Sequence, residues 1–261
     1  RNRQVSQTSL RNKVKDFYLN WCDWWFAYTL GVKLELVDKG FSARKISVVQ
    51  NAIDTKNLRM YYDAVDEKTA LKTIHQLGIN PNELAIYCGG LYKEKRIDFM
   101  IESGLAIKQE RPEFELVIIG GGPEQDKVIA ASKIYSWIHY MGPKFDRDKA
   151  TFFKVSKFMM MPGLVGLGIL DSFTCETPTI TTQFQFHSPE IEYLQHEING
   201  LISKDNLRDY VNAVLNFLED STLQTRLIDG CRESYGVYTI QAMVDNFSGG
   251  IVECLHRETS A

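Results

Sequence analysis

The sequence predicts an α/β fold, a parallel sheet with helices on both faces. Three observations predict it. Short runs rich in Val and Ile alternate with longer stretches of helical periodicity, the mark of βαβ units. Each run is followed by Gly, Asn or Pro, which end a strand and open a loop. A chain of 261 residues is long enough for one large or two modest domains with a sizeable core.

Strands are expected at 46–49, 84–88, 115–119, 158–161 and 178–182, with a weaker one at 137–140. Between the second and third, Ile97, Ile101, Leu105 and Lys108 fall at four- and three-residue steps. That spacing predicts a helix with one buried stripe, ending before Pro112 because proline disfavours helical backbone in the residue ahead of it. The first forty-odd residues differ, reading as a basic aromatic helix over 10–26 and a short helix ending at Gly40. From Asn206 onward, helices are expected at 210–218, 222–233 and 242–256.

Apolar residues make up 44% and charged residues 24%, which excludes collagen-like, disordered and disulfide-scaffold classes. Thirty Lys and Arg balance 33 Asp and Glu, so no nucleic-acid partner is expected. The five cysteines are scattered without a Cys-x-x-Cys pair, which points to a reduced, cytoplasmic compartment. The longest apolar stretch, 158–170, contains Pro162 and three glycines and is shorter than the ~20 residues of a spanning helix. In the first helix Arg11, Lys13 and Lys15 precede Phe17, Tyr18, Trp21, Trp24, Trp25 and Phe26, which suits peripheral contact with the inner face of a membrane. Asp16 and Asp23 among them favour burial against a neighbouring domain. The chain opens without Met or an apolar secretion segment, so a fragment is expected.

Two glycine-rich turns carry the candidate chemistry. Gly89-Gly90-Leu91-Tyr92-Lys93-Glu94-Lys95 follows the strand ending at Cys88. In an open α/β sheet, ligands bind beyond the carboxyl ends of strands, where glycines admit a phosphate and a lysine supplies charge. Lys95 is the candidate phosphate ligand, with a solvated lysine at a helix start as the alternative. Gly163-Leu164-Val165-Gly166-Leu167-Gly168 follows the strand 158–161 and leads into Asp171. Its N–H groups would face a diphosphate, and Asp171 would accept both hydroxyls of a ribose or merely complement the helix dipole. A third cluster, Gly120-Gly121-Gly122-Pro123, lacks the spacing of a dinucleotide fingerprint and reads as a turn lining the crevice. In His187-Ser188-Pro189, Ser188 and Pro189 suit a helix start, and His187 and His196 lack a third partner at metal-ligand spacing.

In order and spacing these stretches resemble the catalytic half of the family 4 retaining glycosyltransferases. That family has Gly-Arg-Leu followed by Lys-Gly, then a strand ending in Gly-x-Gly-Pro, then Glu, seven residues and Glu-Ala-Met-Ala-x-Gly-x-Pro-Val-Ile. This chain has Gly89-Gly90-Leu91 with Lys95-Arg96, then Gly120-Gly121-Gly122-Pro123, then Gly163 and the run Asp171 through Ile180, closed by Asn199-Gly200-Leu201-Ile202. The resemblance covers roughly 46–205. Gly90 stands where relatives have Arg, Gly163 replaces the first Glu, and Asp171 shortens the second.

The resemblance implies a Rossmann-like domain forming the C-terminal half of a two-domain GT-B fold. Residues 1–45 would be the last segments of an N-terminal acceptor domain, 46–238 the nucleotide-sugar domain, and 239–261 a helix packing back toward the first. It implies transfer, with retention, of a sugar from a nucleotide-diphosphate sugar to a glycan or lipid-linked acceptor in bacterial polysaccharide or glycoconjugate synthesis. UDP is the first expectation. Lys95 would be the catalytic cation. Gly89, Gly90, Gly122, Gly163, Leu164, Val165, Gly166, Leu167 and Asp171 would complete the donor site, with no metal ion or other cofactor. Lost activity, leaving a nucleotide-binding regulatory module, is the alternative that Gly90 and Gly163 raise.

Overall fold

The structure, a computed structural model, describes residues 21–258. The first elements are β1 (Trp25–Ala27), α1 (Leu30–Asp38) and β2 (Ile46–Val48), followed by α2 (Lys56–Ala64) and α3 (Glu67–Gln76). The main domain then alternates: β3 (Glu83–Cys88), α4 (Ile97–Glu110), β4 (Phe114–Ile119), α5 (Gln125–Ile134), β5 (Ile138–Gly142), α6 (Asp146–Val155), β6 (Phe158–Met160), α7 (Gly168–Thr174), β7 (Thr179–Thr182) and β8 (Gly200–Ser203). Three helices close the chain: α8 (Leu207–Glu219), α9 (Ser221–Tyr235) and α10 (Ile240–Glu258).

β3 to β8 form one parallel sheet in the order β5-β4-β3-β6-β7-β8. Leu84, Ala85, Ile86 and Tyr87 of β3 are all fully buried, because helices cover both faces and no polar side can face water. That burial is why the central strands read as continuous apolar runs. The chain builds outward from β3 through β4 to β5, then returns to start β6 on the other side of β3. The crevice between the carboxyl ends of β3 and β6 is therefore the point at which strand order reverses, where open α/β sheets bind ligands.

One expected strand belongs elsewhere. Residues 46–48 pair in parallel with β1, Trp25 opposite Ile46, in a separate two-stranded sheet, so the large sheet begins at Glu83. Ala27, Leu36, Phe41 and Ile46 make a second, small core. Periodicity gives a strand's apolar face but not its hydrogen-bonding neighbour, and three residues cannot specify a sheet. Of the helix expected over 10–26, residues 10–20 lie outside the described residues, and Trp25–Ala27 is strand.

Long-range contacts tie this small unit to the main domain. Glu192 accepts from the Thr29 hydroxyl at 2.7 Å and from the Gly31 N–H at 2.9 Å, so it caps α1 from across the molecule. Helix α10 runs back against β2, with Phe247 stacked on Phe26 at 4.2 Å between ring centroids.

Glu176, in the turn before β7, has φ of 52°, a left-handed position that costs a non-glycine residue roughly 1–2 kcal/mol. Its carboxylate receives Arg59 from α2 and Arg232 from α9, each at 2.8 Å, so the strained residue joins three elements. Burial alone would raise the Glu176 carboxyl, but hydrogen bonds from Arg232 and Arg59 hold it below its ordinary value. Such a group contributes stability above the unfolded value, lost as pH falls through the lower folded value. Glu176→Ala is thus expected to lower stability by about 1–2 kcal/mol at pH 7, with the deficit shrinking below about pH 4.5. Thermal melts across pH 3–8 check this, and a pH-independent deficit would show that the arginines do not hold the turn.

Candidate functional site

Lys95 ends a 3₁₀ turn, Lys93–Lys95, after β3, and its side chain is buried. It is 6% exposed. Nζ donates to the Leu164 carbonyl at 2.6 Å, approaches Met161 Sδ at 3.8 Å, and lies 5.5 Å from the Tyr92 ring centroid. Among the described residues no carboxylate pairs with it. Burial pushes its pKa down to about 8, which still leaves it mostly protonated at neutral pH. A buried cation without an anion is costly, and an incoming anion offsets that cost. The neighbouring Arg96 is not available for this role. It pairs with Asp205 and lies against Phe99 at 4.2 Å and Phe184 at 5.2 Å.

The glycine loop after β6 meets Lys95 from the other side of the crevice. A Cβ at Gly163 would lie 2.5 Å from the backbone of Glu94 and Lys95, so glycine here lets the two loops touch. The same closeness explains the departure from the family pattern: a glutamate cannot occupy this position without moving the 93–95 turn. Leu164 and Val165 have both backbone polar groups hydrogen-bonded. Leu164 donates to Glu94 O at 2.9 Å while its carbonyl receives Lys95. Val165 donates to His187 Nδ1 at 2.9 Å while its carbonyl receives the Ser188 N–H at 3.0 Å. The second half is open: among the described residues the Gly166, Leu167 and Gly168 N–H groups meet no protein acceptor.

The remaining sequence candidates fall around this point. Gly89 lies over the lysine, a Cβ there being 4.0 Å from Lys95 Nζ, and the Gly90 carbonyl receives the Tyr87 hydroxyl at 2.7 Å. Gly122 packs on the other side of the 89–91 turn, where a Cβ would meet Leu91 O at 2.4 Å. Asp171 is held by Lys149 of α6, Nζ to Oδ2 2.6 Å. Burial raises its carboxyl and the Lys149 charge only partly counters that. Ser188 and Pro189 do open a 3₁₀ turn, Pro189–Tyr193, but the Ser188 hydroxyl makes no capping bond, which corrects the expected N-cap.

The contacts of Lys149 with Asp171 and of His187 with Val165 leave no local spacing signal in the sequence, because each joins residues more than twenty positions apart. Asp146 and Asp148 form an Asp-x-Asp pair, a spacing that could hold a metal ion and that the expectation of a metal-free site did not take into account. The pair opens α6 with both carboxylates exposed, and no cluster of three metal-ligating side chains forms among the described residues. A surface depression of about 730 Å³ beside α9 is lined by Glu197, Asp229 and Glu233 against Arg226, an acidic setting that disfavours a diphosphate.

A doubly covered parallel sheet whose order reverses beside a buried lysine and a glycine loop defines an open α/β domain with a candidate ligand crevice at that edge. Residues 82–220 match the family described as Glycosyl transferases group 1, and the chain belongs to that family. Its fold is similar to GT-B glycosyltransferases. TarM of S. aureus shares 14% identity over 93% of this chain, with a TM-score of 0.70, and HepE of Anabaena 16% over 95%, with 0.75. The C-terminal domain of the group 1 protein LpcC from Francisella tularensis shares 17% over 67% of this chain and 99% of its own, with 0.54. The chain spans 46% of the TarM chain and 68% of the HepE chain. No curated protein matches it in sequence.

Proposed function

We propose that this chain is the donor half of a retaining glycosyltransferase, binding a nucleotide-diphosphate sugar between the Gly89 and Gly163 turns. The observation that carries the reading is Lys95, buried and without a carboxylate at the point of strand reversal. Its ammonium would leave Leu164 O for the diphosphate and stabilise the charge that develops on the leaving group. The open N–H groups of Gly166 and Leu167 would add hydrogen bonds to the same oxygens. Asp171, oriented by Lys149, would receive the ribose. The structures of TarM and HepE include UDP complexes, and one of HepE holds UDP-glucose, which supports UDP as the nucleotide.

Lys95 and the loop amides supply the positive field for the diphosphate, so no metal ion is required in this reading. The acceptor, a glycan or lipid-linked sugar, would lie against a facing domain. Positioning by such a domain is worth ~7–11 kcal/mol, so this chain alone is expected to bind donor and transfer little. Gly163, packed against backbone where relatives carry a glutamate, favours a second reading, a nucleotide-binding module without transfer.

Thermal shift with UDP, GDP and their sugars tests the site. UDP at 100 times its Kd is expected to stabilise the chain by about 2.7 kcal/mol, equally in excess EDTA. No response to any diphosphate, or a response abolished by EDTA, would count against the site. Product analysis with a nucleotide sugar and candidate acceptors separates transfer from binding alone.

A further inference from the structure

The loop that would meet the diphosphate is held by a residue that touches no candidate ligand. His187 is buried, and its ring spans two backbone groups: Nδ1 accepts from the Val165 N–H at 2.9 Å, and Nε2 lies 2.8 Å from the Thr182 carbonyl. A carbonyl can only accept and an N–H can only donate, so the tautomer is set. The proton sits on Nε2, and Nδ1 carries the lone pair that Val165 uses. The Phe184 ring stands edge-on to the imidazole at 5.7 Å between centroids.

We propose that His187 is a positioning residue for donor binding, one that sets the 163–168 loop by accepting the Val165 N–H. This rests on the donor site lying at that loop. With the adjacent Ser188 N–H on the Val165 carbonyl, residues 187 and 188 grip both polar groups of one residue. Glu94 and Lys95 grip both polar groups of the residue before it, Leu164. Four hydrogen bonds thus fix both polar groups of two consecutive residues, and the next three N–H groups, of Gly166, Leu167 and Gly168, have no protein acceptors among the described residues. Glycines at 166 and 168 lack the side chains that would stiffen this stretch, so its geometry depends on the anchor ahead of it. Removing the Nδ1 acceptor leaves a buried N–H unsatisfied, and the loop can relieve that only by turning Val165 toward water. Such a turn carries Leu164 O away from Lys95 and the open amides away from the crevice.

Two polar substitutions divide the ring's two bonds. His187→Asn keeps an acceptor near the Nδ1 position, while His187→Gln keeps a donor near Nε2 for Thr182 but offers nothing to Val165. Amide hydrogen exchange of Leu164 and Val165 in the ligand-free chain is expected to speed up at least tenfold for His187→Gln and to stay within about threefold for His187→Asn. UDP affinity, by titration calorimetry, is expected to weaken about tenfold for Gln and to be largely retained for Asn. Equal behaviour of the two variants in exchange, or unchanged exchange in Gln, would overturn the proposal. If the wild-type chain binds no UDP, the donor-site reading fails, whereas the exchange comparison still decides whether His187 holds the loop.

Discussion

Lys95→Ala is expected to weaken UDP binding by about 10–100-fold, because a charge-assisted hydrogen bond to phosphate is worth ~1.5–3 kcal/mol. If the site serves sugar transfer as proposed, the same change is expected to lower kcat by about 10²–10³, the usual cost of removing one preorganised donor from developing charge. Lys93→Ala, on an exposed side chain two residues earlier, should leave both unchanged. Equal effects at the two lysines would refute the assignment of Lys95. The binding should also depend on pH in a defined direction. Burial depresses Lys95 to about 8, and the diphosphate binds the protonated form, so affinity should fall as pH rises above 8. Lys95→Arg, which stays charged throughout this range, should lose that dependence. Calorimetry at pH 7 and 9.5 measures both. For folding the sign is opposite: the unfolded lysine holds its proton to higher pH, so stability should rise from about pH 8 upward.

Lys149→Met is expected to cost about 3 kcal/mol, since it leaves the Asp171 carboxylate buried and unpaired while keeping the volume of the side-chain stem. At this chain length such a loss lowers the melting temperature by about 6–12 °C. Burial already raises the Asp171 carboxyl, and without Lys149 it rises further. A carboxyl raised in the folded state loses stability as pH climbs from the unfolded value through the folded one. The deficit should therefore be fullest at neutral pH and smaller near pH 4. The double variant Lys149→Met with Asp171→Leu should recover much of the loss, because an apolar pair of similar volume needs no compensation. A pH-independent deficit, or no recovery in the double variant, would show that the pair is not what holds this region.

Strand runs, the helix at 97–110 and the three final helices were legible because burial on one face imposes a period, and a period is local. In the first of these helices the fully buried stripe is Ile97, Met100, Gly104 and Ile107, with the expected Ile101, Leu105 and Lys108 only half-buried beside it. The two glycine turns and Lys95 were legible for a similar reason: each follows a strand end directly, where an α/β sheet presents its crevice. The sequence alone thus determined the fold class, the family resemblance and the rim on which the candidate site lies. Tertiary structure decided the rest. Whether β2 joined the large sheet, which cation was left without a carboxylate, and what held Val165 all depend on partners more than twenty residues away. Arg96 and Lys95 are adjacent and equally charged in the sequence, yet Asp205 takes one, and the other is buried on the Leu164 carbonyl with no carboxylate partner among the described residues. Asp171 likewise carries the same letter whether it is free or clamped by Lys149. A residue's type states which interactions it can make. Which of them it does make is set by the groups that folding brings within about 3 Å, since hydrogen bonds and ion pairs act only at that range while sequence periodicity records only which face is buried.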